Sequence, residues 1–433
     1  MASIAIIGSG IAGLGCAWFL RHDYDVSVFE ADERLGGHAH TVWVDESGRR
    51  LPIDTGFMVF NHVTYPNLLR LFGALGVPMK PTDMSFSVRH GPRALEYRGT
   101  SLNTLFAQRS NLLRPSFYRL LRQIDRFNRE AVTALEDPAV ADLTLADYVG
   151  RRGYGADFLE LYLAPMSSAV WSTPPEKMMR FPATTLLRFF HNHGFLGLHT
   201  QHPWWTIDGG SRLYVERLAA DCRPRIHLGC PVRQVRRTPM GAVLDTDDGP
   251  RTFDYVILAC HPPESLRLLG AGASPLERRL LSAFRYQPNT ATLHTDESVM
   301  PERRLAWSAW NYRLEQSEGA ALHPSTHYWM NRLQGVSNRR NYFVSLNAEG
   351  LVDPARVLRT LAYEHPLFDL AARRAQPELL ALNEQALSGT WTLFAGAWQG
   401  YGFHEDGLVS ALSVCRLLLQ SDPWLRRRAL EVT

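Results

Sequence analysis

The sequence predicts an α/β fold: a parallel sheet interrupted by an inserted α+β domain that carries a mixed or antiparallel sheet of its own. Three observations predict it. A short apolar run, Ile4 to Ile7, passes through a G-x-G-x-x-G turn into a helical pattern, then into a second apolar run that ends at Glu30. A further buried-strand pattern, D-x-V-I-x-A, recurs far downstream at residues 254–259. Between and beyond them the character changes, with helical patterns after residue 102 and aromatic-rich strand patterns between 291 and 346. A chain of 433 residues is long enough for two or three domains.

The first element is the most specific. Ile4 to Ile7 lacks polar alternation, as a parallel strand covered on both faces requires. Gly8, Ser9, Gly10, Ile11, Ala12 and Gly13 then form the turn. Gly8 permits the tight bend, Gly10 lets backbone approach a pyrophosphate, and Gly13 lets the helix close on the strand. The helix N-terminus offers free N–H groups and a partial positive charge to phosphate. Glu30 lies seventeen residues after Gly13, where a carboxylate takes ribose hydroxyls. A lone glycine motif is weak evidence. In its strand, turn, helix, strand and acid context it specifies a dinucleotide site.

Glu30, Ala31 and the residues up to Arg34, Gly36, Gly37 and His38 spell E-x-x-x-R-x-G-G. Following G-x-G-x-x-G at this distance, the pattern resembles the N-terminal FAD signature of the flavin-containing amine oxidase superfamily. That group includes amine oxidases, phytoene desaturases, protoporphyrinogen oxidases and a polyenoic fatty acid isomerase. The resemblance implies a Rossmann-type FAD-binding domain, with Arg34 near the pyrophosphate and Gly36 and Gly37 close to the cofactor. Arginine suits phosphate, and a glycine pair suits crowded backbone. By the same resemblance, Gly56 and Phe57 run under the isoalloxazine ring. Val232 gives its backbone to the adenine.

Residues 391–415 are similar to the C-terminal FAD signature, with Gly396, Glu405, Gly407 and Leu408 as cofactor contacts. Its helix would aim its N-terminus at the flavin. The spelling Glu405-Asp406-Gly407-Leu408 departs from the usual one, and His404 falls near the position of the amine-cage tyrosine. The expected FAD domain is 1–83, 205–270 and 386–433. The expected cap is 84–204 and 271–385.

In chain order, 65–75 reads as a helix, 84–88 and 94–97 as strands, and 102–135 as helical with an interruption near Pro115. Residues 145–149 and 158–163 read as helical, and 164–171 as pocket lining or core. Strand patterns follow at 291–294, 304–310, 326–332 and 342–346, and a helix near 364–372. Trp204 and Trp205 either approach the ring or pack. His191, His193, His199 and His202 lack metal-ligand spacing, so no metal is expected.

Composition excludes several classes. A net charge of +3 leaves no nucleic-acid footprint. The five cysteines are odd in number and form no C-x-x-C, as expected of reduced, buried thiols in the cytoplasm. Cys260 reads as a structural thiol. No run of apolar residues is long enough to span a membrane. The tail Pro423-Trp424-Leu425-Arg426-Arg427-Arg428 is the one candidate for peripheral contact with anionic lipid, against a solvated basic end. Oligomeric state is not legible.

Flavin would supply the redox chemistry and the protein its placement. Lys80 and Lys177 are the only lysines. Amine oxidases of the superfamily commonly hold a water near the flavin with a lysine from the substrate-domain sheet, so an amine substrate is disfavoured. His404 is the candidate acid or base. Gly56 to Asn61, Leu293 to Asp296, Trp307 to Tyr312 and Tyr328 to Asn331 resemble a bacterial branch of predicted NAD/FAD-binding proteins associated with fatty acid modification. That resemblance implies a hydrophobic, acyl-chain substrate and adds His294, Asp296, Trp310, Asn311 and Tyr328 as site candidates. The expected activity is an FAD-dependent, desaturase-type oxidation. The alternatives are a redox-neutral double-bond isomerase, an amine or small-molecule oxidase, and a non-catalytic FAD-binding protein.

Overall fold

The strand Ser3–Ile7 buries Ile4, Ala5 and Ile6 completely, which requires sheet neighbours and helical cover on both faces. It pairs in parallel with Asp25–Phe29 on one side and Tyr255–Leu258 on the other. Ile226–His227 and Thr392–Phe394 extend the two flanks, so five parallel strands place the first strand at the centre. The computed structural model describes every residue except 198–199, 221–224, 317–322 and 433, and the side chains of all but 428–432. His199 and Cys222 therefore lie outside the described residues.

The helix Ile11–Leu20 is buried at every position. The helix His404–Leu419 covers one side of it, and the two axes come close because Gly15 faces Leu408 and Ala411 while Gly407 faces Ile11. Trp18 and Phe19 meet Trp424 of the helix Pro423–Val432 edge-on, at ring centroid distances of 6.1 and 4.8 Å.

The second sheet has seven strands, in the order Val357–Leu367, Arg285–His294, Phe343–Leu346, His323–Trp329, Trp310–Glu315, Phe86–His90, Leu95–Arg98. Neighbours are antiparallel except Trp310–Glu315 and Phe86–His90, which run parallel, so the sheet is mixed. The helices Pro115–Ala134, Leu145–Arg152, Ala164–Trp171 and Ala183–Asn192 share one core around Phe127, Tyr148, Phe158 and Leu186. The five-strand sheet draws only on segments 1–83, 205–270 and 386–433, and the seven-strand sheet only on 84–204 and 271–385. Three helices from the second set, Pro275–Leu281, Leu370–Ala375 and Leu379–Glu384, nevertheless pack into the core beside Phe29, Leu258 and Phe394 of the parallel sheet.

Two expectations are corrected. Residues 364–372 do not form one helix. Val357–Leu367 is an eleven-residue edge strand, with Pro366 tolerated because an edge leaves one hydrogen-bonding side unpaired. The following helix starts at Leu370, where Asp369 accepts from the Ala372 N–H as its cap. Arg304–Ala306 is a 3₁₀ turn, and the strand begins only at Trp310. In the basic tail, Trp424 is buried, Arg426 pairs with Asp23 at 2.6 Å, and Arg427 stacks over Trp18. Among the described residues, no helix is long and apolar enough to cross a membrane.

Candidate functional site

A cavity of about 420 Å³ opens at the carboxyl ends of the parallel strands and runs under the seven-strand sheet. That position is where open α/β sheets bind ligands. Backbone builds its first half. Gly8 has φ +103°, and Gly13 sits so close that a Cβ there would stand 1.9 Å from the Gly8 oxygen. Gly10 is the opposite case: a Cβ there would meet nothing within 4 Å, because it would point into the cavity. The helix Ile11–Leu20 has no side-chain cap and no acid in its first turn, so its leading N–H groups remain available to an anion. Glu30 faces the same space. Its carboxylate accepts from the Ser9 N–H at 2.8 Å, the Ser9 hydroxyl at 2.6 Å and the Asp32 N–H at 3.0 Å.

Histidines line the middle. His404 stacks on Phe57 at 3.7 Å between centroids, and its Nε2 lies 3.0 Å from the Tyr214 hydroxyl. Burial lowers its pKa to about 3. His38 stacks on Tyr363, and His365 has Nδ1 2.7 Å from the Asn289 amide nitrogen. Burial pushes the pKa of His38 well below the usual histidine value and that of His365 down to about 4. His261 stacks on Tyr286 at 4.0 Å and places Nδ1 3.2 Å from a Glu364 oxygen, which opposes the lowering that burial causes. Cys260 also faces the cavity, but burial raises its thiol to about 12, so it stays protonated.

Side chains build the second half. Met84, Phe86, Met166, Val170, Trp171, Phe189, Phe195, Trp204, Trp310 and Tyr328 form largely apolar walls, and the carboxylates that line the cavity are Glu30, Glu264 and Glu364. Lys80 pairs with Asp208 at 2.8 Å and Lys177 donates to Gln287 at 3.1 Å; neither reaches the cavity. Four buried polar atoms on the wall have no protein partner: His38 Nε2, Trp204 Nε1, Trp310 Nε1 and Trp398 Nε1. Such orphans are rare and mark a wall completed by a polar ligand or water. With the open space at Gly10, they fit a dinucleotide bearing a large heteroaromatic ring.

A family model described as flavin containing amine oxidoreductase matches residues 11–363. The chain belongs to this family. Its cofactor is FAD. A Mycobacterium tuberculosis protein named as a flavin-containing monoamine oxidase, AofH, is 25% identical over 268 residues, which cover 60% of this chain and 57% of the relative. The chain thus matches little more than half the length of that relative. Among solved structures, a putrescine oxidase aligns with a TM-score of 0.67 at 16% identity over 97% of this chain and 99% of that one. A fatty acid isomerase from P. acnes, titled as producing CLA, aligns with a TM-score of 0.65 at 15% identity over 97% and 98%. At such identities the likeness is one of fold.

Within this family fold, the structure gathers Gly8, Ser9, Gly10, Ile11, Ala12, Glu30, Gly36, Gly37, His38, Gly56, Phe57, Gly396, His404, Trp204, Trp310 and Tyr328 onto one cavity wall. Other candidates are not on that wall. Gly13 packs helix on strand, and Gly407 and Leu408 pack helix on helix. Glu405 points away from the cavity and caps the helix Pro66–Leu75, accepting from the N–H groups of Asn67 and Leu68 at 3.0 and 2.9 Å. Arg34 lies 3.8 Å from Asp32, Ala31 is exposed, and Val232 is buried in the core beside the parallel sheet. Trp205 stacks on His62 outside the cavity.

The remaining substrate candidates do not line the cavity. His294 bonds to the Ser345 hydroxyl at 2.7 Å, Asp296 caps the turn Glu297–Val299, and Asn311 ties Ser87, Ser308 and His327 together. For His404, burial keeps the ring uncharged at neutral pH, which disfavours the acid half of its expected acid or base role. Sequence reasoning missed His261, Tyr286, Tyr363, Glu364 and His365. Four of these stand on the two paired strands Arg285–His294 and Val357–Leu367, and the mistaken helix at 364–372 hid the second. His193 stacks between Phe189 and Trp204, and among the described residues no three side chains gather as metal ligands.

Proposed function

We propose that the protein is an FAD-dependent oxidoreductase that desaturates a hydrophobic, acyl-chain substrate. One observation carries the reading: the cap half of the cavity is walled largely by aromatic, Met and Val side chains, no lysine reaches it, and its carboxylate Glu364 is already engaged with His261. Apolar walls hold an alkyl chain by removing its surface from water. FAD, when bound, supplies the acceptor for hydride.

The chain's own residues do the rest. Glu30 and the amide groups at Gly10 to Ala12 hold the dinucleotide. Phe57 and His404 form a neutral wall. Desaturation also releases a proton from the neighbouring carbon. His261 is suited to take it, because Glu364 at 3.2 Å stabilises the imidazolium that results. Among the described residues, His404 has the Tyr214 hydroxyl as its hydrogen-bond partner and no carboxylate.

The test is anaerobic addition of long-chain fatty acids, acyl thioesters and primary amines to the purified yellow protein. Bleaching by the acyl compounds alone supports the reading. Bleaching by amines alone overturns it. A shifted double bond without net bleaching would instead identify an isomerase, a reading the fold likeness to the P. acnes enzyme supports.

A further inference from the structure

Among the described residues, the two most exposed leucines stand on adjoining turns of the cap, and neither lines the cavity. Leu113 is 88% exposed and Leu102 is 77% exposed, with Leu112 and Tyr118 beside them at 48% and 41%. Single exposed leucines are ordinary, but a group of them on adjoining turns is not. Their orientation is fixed from behind. Phe106 packs on Phe117 at 5.6 Å, Asn111 is fully buried, and the Tyr118 hydroxyl donates to the Leu112 carbonyl at 3.0 Å. Arg109 donates to the carbonyls of Asn103 and Phe106 and so ties the two turns, Leu102–Leu105 and Arg109–Leu113, into one surface.

The charge around these leucines has one sign. Residues 97–124 contain Arg98, Arg109, Arg114, Arg119 and Arg122 and no Asp or Glu. Arg98 turns inward to Asp83. Arg109 and Arg114 bond to neutral groups, which leaves their charge uncompensated. Arg119 reaches only Asp157, at 4.0 Å, and Arg122 has no carboxylate within ion-pair distance among the described residues. Elsewhere on the surface, arginines are commonly matched, as Arg233 with Asp247 and Arg279 with Glu378.

We propose that this face docks the protein on an anionic lipid surface, with Leu102, Leu112 and Leu113 entering the acyl boundary and the arginines at the phosphates. Apolar side chains ringed by arginine are the chemistry of an interfacial anchor. Self-association fits less well, because a two-fold interface would set this arginine-rich patch against itself. The docking does not depend on which reaction the cavity performs.

The test is sedimentation of the FAD-loaded protein with phosphatidylcholine vesicles, with and without phosphatidylglycerol, at low and high salt. Binding is expected to be about tenfold tighter to the anionic vesicles and to weaken with salt. The double variant Leu112→Ser/Leu113→Ser and the triple variant Arg114→Gln/Arg119→Gln/Arg122→Gln should each lose about tenfold, with flavin content unchanged. Arg339→Gln/Arg340→Gln, on an exposed turn elsewhere, should bind as the parent does. Equal binding to neutral vesicles, variants that bind like the parent, or no binding by the parent overturns the proposal. So does concentration-dependent association without lipid that the leucine variant abolishes.

Discussion

The two halves of the cavity are made in different ways. In the dinucleotide half, backbone meets backbone: a Cβ at Gly13 or Gly56 would stand 1.9 or 2.1 Å from a carbonyl oxygen. In the cap half, side chains from separate segments, such as Trp171, Trp310 and Phe86, converge on space that no main chain defines. Main-chain fit admits one residue type at a position, whereas an apolar wall admits many. The first half should therefore fail abruptly on substitution and the second should change by degrees.

The sharpest break should come from Gly13→Val. Its side chain collides with the Gly8 carbonyl, and the helix Ile11–Leu20 cannot stay on the sheet. The expected loss is about 5 kcal/mol or more, read as insoluble protein or a collapsed urea midpoint. Gly10→Val is the control: open space awaits its side chain, so the protein should fold yet emerge colourless. A yellow Gly10→Val protein would mean that the cofactor does not lie against Gly10.

Asp406, behind the dinucleotide half, predicts a pH effect. Burial raises its pKa to about 7 even though it accepts the Phe403 N–H at 2.9 Å. In the unfolded chain it ionises near its ordinary 3.8. The folded state therefore keeps a proton that the unfolded state releases, and stability falls as pH rises from about 4 to about 7, then levels off. Asp406→Asn should remove that slope and gain as much as ~4 kcal/mol at about pH 8, with little gain at about pH 4. Equal urea midpoints of the two proteins at both pH values would show that Asp406 does not titrate in this range.

Glu30→Ala should come next, because it removes a carboxylate that three hydrogen bonds hold toward the cavity. FAD retention should weaken by about tenfold to a hundredfold, as for loss of charge-assisted bonds of ~1.5–3 kcal/mol. Trp310→Ala should do least. It leaves flavin content intact and lowers kcat/KM for long-chain substrates about tenfold, near the value of one buried side-chain contact surface. If Trp310→Ala lost FAD while Glu30→Ala kept it, the division of labour between the halves would be reversed.

This contrast also explains what the sequence disclosed. Gly8, Gly10, Gly13 and Glu30 were legible because a glycine turn between strands states its own geometry. The strand Val357–Leu367 was not, although Leu361, Tyr363 and His365 turn to one side with a period of two. Glu364 and Pro366 disguised it, and Tyr363, Glu364 and His365 were lost with it. Glu405, Gly407 and Leu408 belong to a recognisable signature, but a linear pattern does not say which side of a helix faces the ligand. Glu405 turned to the neighbouring helix, and His404 to the cavity. His261 follows the D-x-V-I-x-A strand directly, and its partner Glu364 is 103 positions away, beyond the reach of any local pattern.

The central strand, Ser3–Ile7, is made early, but the outermost strand of its sheet is Thr392–Phe394, and the helix His404–Leu419 covers the glycine-rich helix. During synthesis the nucleotide pocket must remain open on one side until the strand Thr392–Phe394 and the helix His404–Leu419 have left the ribosome. Nascent chains that still lack the helix His404–Leu419 should thus be unable to retain their yellow pigment, and in the meantime the exposed helix Ile11–Leu20, apolar all round, is the segment most in need of a chaperone.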